Sequence, residues 1–210
     1  VPVFSTSDMI RSEMRRGFKT ALVYAAGAKH VASFAPSPSV FLIGRGLDHP
    51  PCRRAAGSTS VGANGQNGGG GSEPRSFGGL GLRPELLQAV KKLGYGSLTD
   101  IQRLALPPAL AGTDVVGKAR TGSGKTAVFG LALLQRLDLS LDHRRGKMQA
   151  LVLAPTRELA GQLVTSVRGL AASTAGVRVL AATGGMPSRD QRAGLERGAH
   201  VVVATPGRCL

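Results

Sequence analysis

Ala119-Arg120-Thr121-Gly122-Ser123-Gly124-Lys125-Thr126 follows a short run of strand character, Asp114 to Lys118, and leads into an apolar run of helical length, Lys125 to Leu137. Strand, glycine-bearing loop and helix in that order form the setting of a Walker A phosphate loop. Gly122 and Gly124 permit a turn whose backbone N–H groups converge on phosphate oxygens, and a helix beginning near Lys125 adds the positive end of its dipole. Lys125 is placed to reach β and γ phosphates, and the Thr126 hydroxyl to ligate Mg²⁺. Arg120, Thr121 and Ser123 line the same loop. The general pattern opens with Gly and this one with Ala119. A glycine-rich turn that binds nothing is the alternative, and the strand-loop-helix setting argues against it.

The same alternation continues on both sides of the loop. Leu86, Leu87, Val90 and Leu93 fit one helical face, and Asp100 to Ala111 is helical in pattern. Downstream, strands are expected at Ala150 to Ala154, Val177 to Ala182 and Ala199 to Ala204, with helices at Glu158 to Ala172 and Arg189 to Arg197. Strands alternating with helices through short Gly- or Pro-bearing turns imply an α/β domain with a parallel sheet covered by helices. Ligands of such a domain bind where strand C-terminal ends meet helix N-termini.

Composition narrows the partners. Lys and Arg number 27 against 12 Asp and Glu, a formal charge of +15, which favours polyanions such as nucleic acid or an anionic membrane face. Most of the excess lies after residue 76, where 18 basic side chains face 8 acidic ones. The two cysteines, Cys52 and Cys209, are too few for a disulfide framework or a metal cluster. No run approaches the roughly 20 apolar residues that span a bilayer, so no membrane association is expected. There is no Trp, and Tyr and Phe number 2 and 6, which disfavours an aromatic platform for stacking bases.

Character changes ahead of Phe77. Gly57 to Ser76 is rich in Gly, Ser, Asn and Ala and includes Gly68-Gly69-Gly70-Gly71, the composition of a flexible linker. Further upstream, Met14 precedes Arg15, Arg16 and Lys19, then an apolar stretch from Thr20 to Ala28, then Val31-Ala32-Ser33 before Phe34-Ala35-Pro36. That order of basic, apolar and small residues fits a cleavable leader. The Ala-Ser-Phe-Ala-Pro run resembles the junction in two-part plastid leaders of algae with secondary plastids. A mitochondrial presequence and an untargeted disordered extension stand beside it as alternatives, so the compartment is organellar or else cytoplasmic or nuclear. The expected division is a leader or disordered extension over 1–56, a linker over 57–76, and a nucleotide-binding unit over 77–210.

A phosphate loop is shared by kinases, GTPases, transporters and motors, so its neighbours must decide. Gly94-Tyr95-Gly96-Ser97-Leu98-Thr99-Asp100-Ile101-Gln102, with Phe77 upstream, resembles the Q motif of DEAD-box ATP-dependent RNA helicases. A Gln carboxamide pairs in bidentate fashion with adenine N6 and N7, selecting ATP over GTP, and an aromatic ring packs on the base. Leu98 and Asp100 stand where the family usually has prolines. Taken alone, Gln102 reads as a surface residue in the first turn of a helix. Pro155-Thr156-Arg157-Glu158-Leu159-Ala160 is similar to motif Ia, Gly184-Gly185 to the glycine pair, and Thr205-Pro206-Gly207-Arg208 to motif Ib. In the family these strand-end segments grip the RNA sugar-phosphate backbone. Thr hydroxyls, backbone N–H groups, helix N-termini and Arg side chains are the groups that contact phosphate without reading sequence. Each tetrapeptide alone is an ordinary strand-to-helix turn, and Glu158 alone is a capping residue.

The resemblance covers residues 77 to 210 and implies a RecA-like first domain, with the Q-motif region over 77–105 and the ATP-binding domain over 106–210. It implies ATP and Mg²⁺ as ligands, RNA bound without sequence preference, and remodelling of RNA duplexes at the expense of ATP. Leu98 to Leu139 together with Gln149 to Ala154 resemble the bacterial DbpA-type helicases that act on ribosomal RNA. Arg144, Arg145 and Lys147 read as solvated charge in a surface loop. No Asp-Glu-Ala-Asp box and no Ser-Ala-Thr motif is present, so the expectation is an N-terminal, incomplete portion of a longer enzyme, inactive alone. Other readings are a different P-loop nucleic-acid motor, against which the Q motif argues, and a non-catalytic RNA- or nucleotide-binding remnant.

Overall fold

A computed structural model of the chain describes residues 20–25, 39–45, 59–62, 76–139, 148–185 and 187–209. The segments around Met14 and Val31–Pro36, Cys52, the Gly68–Gly71 run and the loop bearing Arg144, Arg145 and Lys147 lie outside the described residues.

The strands are β1 (Thr20–Ala25), β2 (Ser39–Arg45), β3 (Thr59–Gly62), β4 (Val115–Ala119), β5 (Ala150–Leu153), β6 (Val179–Ala182) and β7 (Val201–Ala204). A 3₁₀ turn at Phe77–Leu80 precedes the helices α1 (Pro84–Lys92), α2 (Asp100–Leu110), α3 (Lys125–Gln135), α4 (Arg157–Ala171), α5 (Ser188–Glu196) and α6 (Pro206–Cys209). From Phe77 onward every expected helix and strand is present, with ends that shift by a residue or two, as fraying helix ends do.

The sheet order is β3-β4-β2-β1-β5-β7-β6. Strands β5, β7 and β6 are mutually parallel, β1 is parallel to β5, and β3 is parallel to β4. The exception is β2, which runs antiparallel to both β1 and β4. Three strands therefore come from the stretches in which the sequence indicates a leader or disordered extension, 1–56, and a linker, 57–76. Ser-Val-Phe-Leu-Ile-Gly-Arg and Thr-Ala-Leu-Val-Tyr-Ala carry the β-branched and aromatic residues that favour strands. A short apolar run is ambiguous by periodicity alone, and here the run after Lys19 pairs with β5 instead of standing apart.

Burial follows the pleat. Ala150, Val152, Val179, Val201 and Val203 face one layer built on α1 to α4, with Phe129, Leu131, Leu163, Val167 and Leu170 in its centre. Leu151, Ala182, Val202 and Ala204 face the opposite way, against Leu195 of α5. Both faces are covered, so β7 is apolar and buried at each position, as a parallel strand between two helix layers must be. Burying a Val or Leu side chain contributes about 1.5–3 kcal/mol relative to exposure.

Two local devices hold the segment ahead of the phosphate loop. Arg83 Nη2 donates to the carbonyls of Gln135 and Leu137 at 2.5 and 2.6 Å, and Gln135 Oε1 accepts from Arg83 N at 2.9 Å. A guanidinium thus closes the open C-terminal carbonyls of α3, where a cation is favoured. At the other device, Thr99 is the N-cap of α2 and its N–H donates to Gln102 Oε1 at 3.0 Å.

Candidate nucleotide site and strand-end surface

Gly124 carries φ +87° and Gly122 φ +81°, left-handed conformations that a side chain disfavours. The chain needs them to turn from β4 into α3 within five residues of loop, 120–124, which brings the N-terminal N–H groups of α3 and the Lys125 side chain to one place. Lys125 is 5% exposed, and its ammonium donates to the Ala119 carbonyl at 2.7 Å, to the Arg120 carbonyl, and toward Ser123 Oγ at 3.4 Å. Burial holds its pKa below the ordinary lysine value. A buried cation satisfied by carbonyls and a hydroxyl sits in a cradle suited to an incoming anion, which offers stronger acceptors. Arg120 and Thr121 are exposed at the loop's rim, and Thr126 is half-buried in the first turn of α3.

The Q-motif residues meet this loop directly. Gln102 is 4% exposed and its Nε2 donates to the Gly124 carbonyl at 3.2 Å. Thr99 Oγ1 donates to the Ser123 carbonyl at 2.8 Å. Because Oε1 faces an N–H and Nε2 faces a C=O, the carboxamide orientation is set by its partners. Each end keeps capacity for one further bond, an acceptor lone pair on Oε1 and a second N–H on Nε2. Those are the groups needed for adenine N6 and N7. Gln102 therefore occupies the first turn of a helix in capping position, but it is buried against the phosphate loop and is not the surface residue that its local sequence suggests.

Phe77 is 4% exposed and packs into the main core, with Tyr95 stacked over it at a centroid distance of 6.1 Å and an interplanar angle of 29°. Of the two rings the solvent-facing one is Tyr95, which is 39% exposed. Tyr95 does not stand out in the sequence, whereas Thr99 lies in the Q-motif run three residues before Gln102, the spacing of a capping box.

The remaining site residues gather at the C-terminal ends of β5, β7 and β6, which are adjacent in the sheet. Pro155, Thr156 and Arg157 are exposed after β5, Gly185 is exposed after β6, and Pro206 and Gly207 are exposed after β7. Thr156 Oγ1 accepts from Leu159 N at 3.2 Å and caps α4. Glu158, in the same turn, is held below its ordinary pKa first by its own backbone N–H, then by the Thr156 hydroxyl, with Arg157 adding a charge. The Arg157 guanidinium lies over Gly184 and Gly185, where a built Cβ on Gly184 would stand 3.0 Å from Nη2. Gly185 adopts φ +82°. Arg208, half-buried, donates to the Thr183 carbonyl at 3.4 Å and to Ser188 Oγ at 3.0 Å. Motif Ia, the glycine pair and motif Ib therefore form one surface, separated from the β4 phosphate loop by β2 and β1. Among the described residues no group of three or more His, Cys, Asp or Glu could hold a metal ion, and no helix is long and apolar enough to cross a membrane.

A phosphate loop between a parallel strand and its helix, a carboxamide bonded to that loop, and a strand-end surface rich in backbone N–H and arginine define a P-loop nucleotide-binding domain of the RecA-like kind. Residues 99–210 match the family model for DEAD/DEAH box helicases. The chain belongs to that family. It is 49% identical over 129 residues to the ATP-dependent RNA helicase DbpA of Escherichia coli strain K12, covering 61% of this chain and 27% of that protein. It is 47% identical over 135 residues to the ATP-dependent rRNA helicase RRP3 of Saccharomyces cerevisiae, covering 64% and 26%. The RNA helicase Prp28 from Chaetomium thermophilum bound to ADP superposes with a TM-score of 0.58 at 36% identity, covering 72% of this chain and 35% of that one. A DEAD box protein from the hyperthermophile Methanococcus jannaschii gives a TM-score of 0.57 at 32% identity, covering 66% and 36%. The chain thus spans about a quarter of the length of these curated relatives.

Proposed function

We propose that this chain is the ATP-binding and RNA-gripping part of an ATP-dependent RNA helicase that remodels RNA duplexes or RNA–protein complexes. The observation that carries the reading is the hydrogen bond from Gln102 Nε2 to the Gly124 carbonyl. It joins an adenine-type reader to the loop that holds phosphate, so base identity and phosphate binding act on one element.

The chain's own residues supply the following steps. Adenine N6 donates to the second lone pair of Gln102 Oε1, and the second N–H of Nε2 donates to N7, while the bonds to Thr99 and Gly124 persist. The phosphate tail enters among the loop N–H groups and draws the Lys125 ammonium from the carbonyls of Ala119 and Arg120 to the β and γ oxygens. Thr126, the first-turn hydroxyl of α3, is the residue that would hold Mg²⁺, which when bound would supply positive charge against the charge developing on the phosphates. RNA phosphates lie across Thr156, Arg157, Gly184, Gly185, Thr205, Pro206, Gly207 and Arg208, groups that contact the backbone without reading sequence.

The test is an ATPase assay on the full-length protein with and without RNA, using Lys125→Ala as the contamination control. RNA-stimulated hydrolysis that vanishes in the variant is the expected result. Hydrolysis of GTP as fast as ATP, or no response to RNA, would overturn the reading.

A further inference from the structure

Thr183 is the last residue before Gly184 and Gly185, and its backbone carbonyl is gripped from two sides. Gln191 Nε2, from α5, donates to it at 2.7 Å, and Arg208 Nε, from α6, donates to it at 3.4 Å. Gln191 is 3% exposed and Thr183 6%. The carbonyl fixes the amide: reversal would set two acceptors face to face, so Nε2 must point at Thr183. Gln191 Oε1 is buried with no hydrogen-bond partner among the described residues. A buried amide that leaves one end unsatisfied sacrifices stability, since that acceptor gives up its bonds to water and gains none in return. A methionine or leucine would fill the same space without that loss. The amide's remaining contribution is directional, because Thr183 precedes the turn at Gly185 with φ +82° and the residues on which Arg157 lies.

We infer that Gln191 is a positioning residue for RNA binding, acting through the Thr183 carbonyl to set the direction in which the Gly184–Gly185 N–H groups face the RNA backbone. The inference rests on the proposed reading of the strand-end surface. Gln191 itself touches no RNA. Its amide is the post under the glycine turn, Arg208 is the tie from motif Ib, and the two together hold motif Ib and the glycine pair in register.

The experiment compares the full-length protein with its Gln191→Met variant in three measurements: affinity for a short uridine oligonucleotide across a salt series, affinity for a fluorescent ATP analogue, and the melting midpoint. The expected result is RNA affinity lower by about tenfold, because a glycine N–H turned out of line loses its bond to a charged phosphate, with ATP-analogue affinity unchanged and the midpoint within about 4 °C of wild type. A merely structural residue would move all three together. Wild-type RNA affinity in the variant, or a parallel fall of RNA affinity, ATP affinity and melting midpoint, would overturn the inference. Where Gln191→Met fails to fold, Gln191→Leu is read by the same criteria. Failure of the wild-type protein to bind the oligonucleotide would sink the reading of the surface and this inference with it, whereas a wild-type protein that binds beside an indifferent variant sinks the inference alone.

Discussion

Gln102 and Gly124, 22 residues apart in sequence, are joined by a hydrogen bond from the Gln102 Nε2 amide to the Gly124 carbonyl at 3.2 Å. Gly124 is the N-cap of α3 in a left-handed conformation, so the bond fastens the phosphate loop at its most constrained residue. Loss of the amide is therefore expected to be felt at the base and in the thermal stability of this segment.

Gln102→Ala is expected to weaken ATP by about 1–3 kcal/mol, the value of a bidentate base contact, and to leave GTP little changed. It should also lower the melting midpoint, because the Thr99 N–H loses its partner and capping residues contribute about 1 kcal/mol. Competition binding with both nucleotides, alongside thermal unfolding, checks the two effects. Equal losses for ATP and GTP would assign Gln102 a structural role alone.

Lys125→Ala should abolish ATP hydrolysis in the full-length protein while leaving the domain folded. The ammonium is buried among the carbonyls of Ala119 and Arg120, so its removal relieves a desolvation cost together with the hydrogen bonds it deletes. Turnover in the variant equal to wild type would remove the phosphate loop from the mechanism.

Arg157 and Arg208 should separate in behaviour although both belong to the strand-end surface. Arg157 is exposed and lies over Gly184–Gly185, so Arg157→Ala is expected to reduce the dependence of RNA affinity on salt by about one unit of slope at unchanged stability. Arg208 is bonded to Thr183 and Ser188, so Arg208→Ala should flatten the slope and also lower the melting midpoint. A titration of RNA binding against salt for both variants, with melting curves, decides this. Identical stability of the two variants would contradict the contacts described for Arg208.

Glu158 gives a pH dependence with a defined sign. Its folded-state pKa lies below the ordinary carboxylate value because its own backbone N–H and the Thr156 hydroxyl bond the charged form. The stabilisation is present above the unfolded value of about 4.3 and is lost as pH falls through the folded value. Between about pH 6 and pH 3 the wild-type protein should lose more melting temperature than Glu158→Gln. Parallel pH profiles for the two proteins would show that the carboxylate contributes nothing at the start of α4.

The amino-acid sequence by itself determined the strand-loop-helix unit around Lys125, the alternation of elements from Phe77 to Arg208, and the membership of Gln102, Arg157, Gly184, Gly185 and Arg208 in one family of motifs. Local signals carry that information: glycine spacing, apolar period and short motifs are contiguous, and each is legible without knowing what lies beside it. Tertiary structure decided what no local signal encodes. It placed β1 and β2 between β4 and β5, where an apolar run of ambiguous period found paired edges to complete. It buried Phe77 beneath Tyr95, bonded Gln102 to Gly124, and brought Gln191 under the Thr183 carbonyl. Those contacts join residues that meet only after the sheet has formed, because a hydrogen bond depends on distance and direction in space, and sequence separation fixes neither.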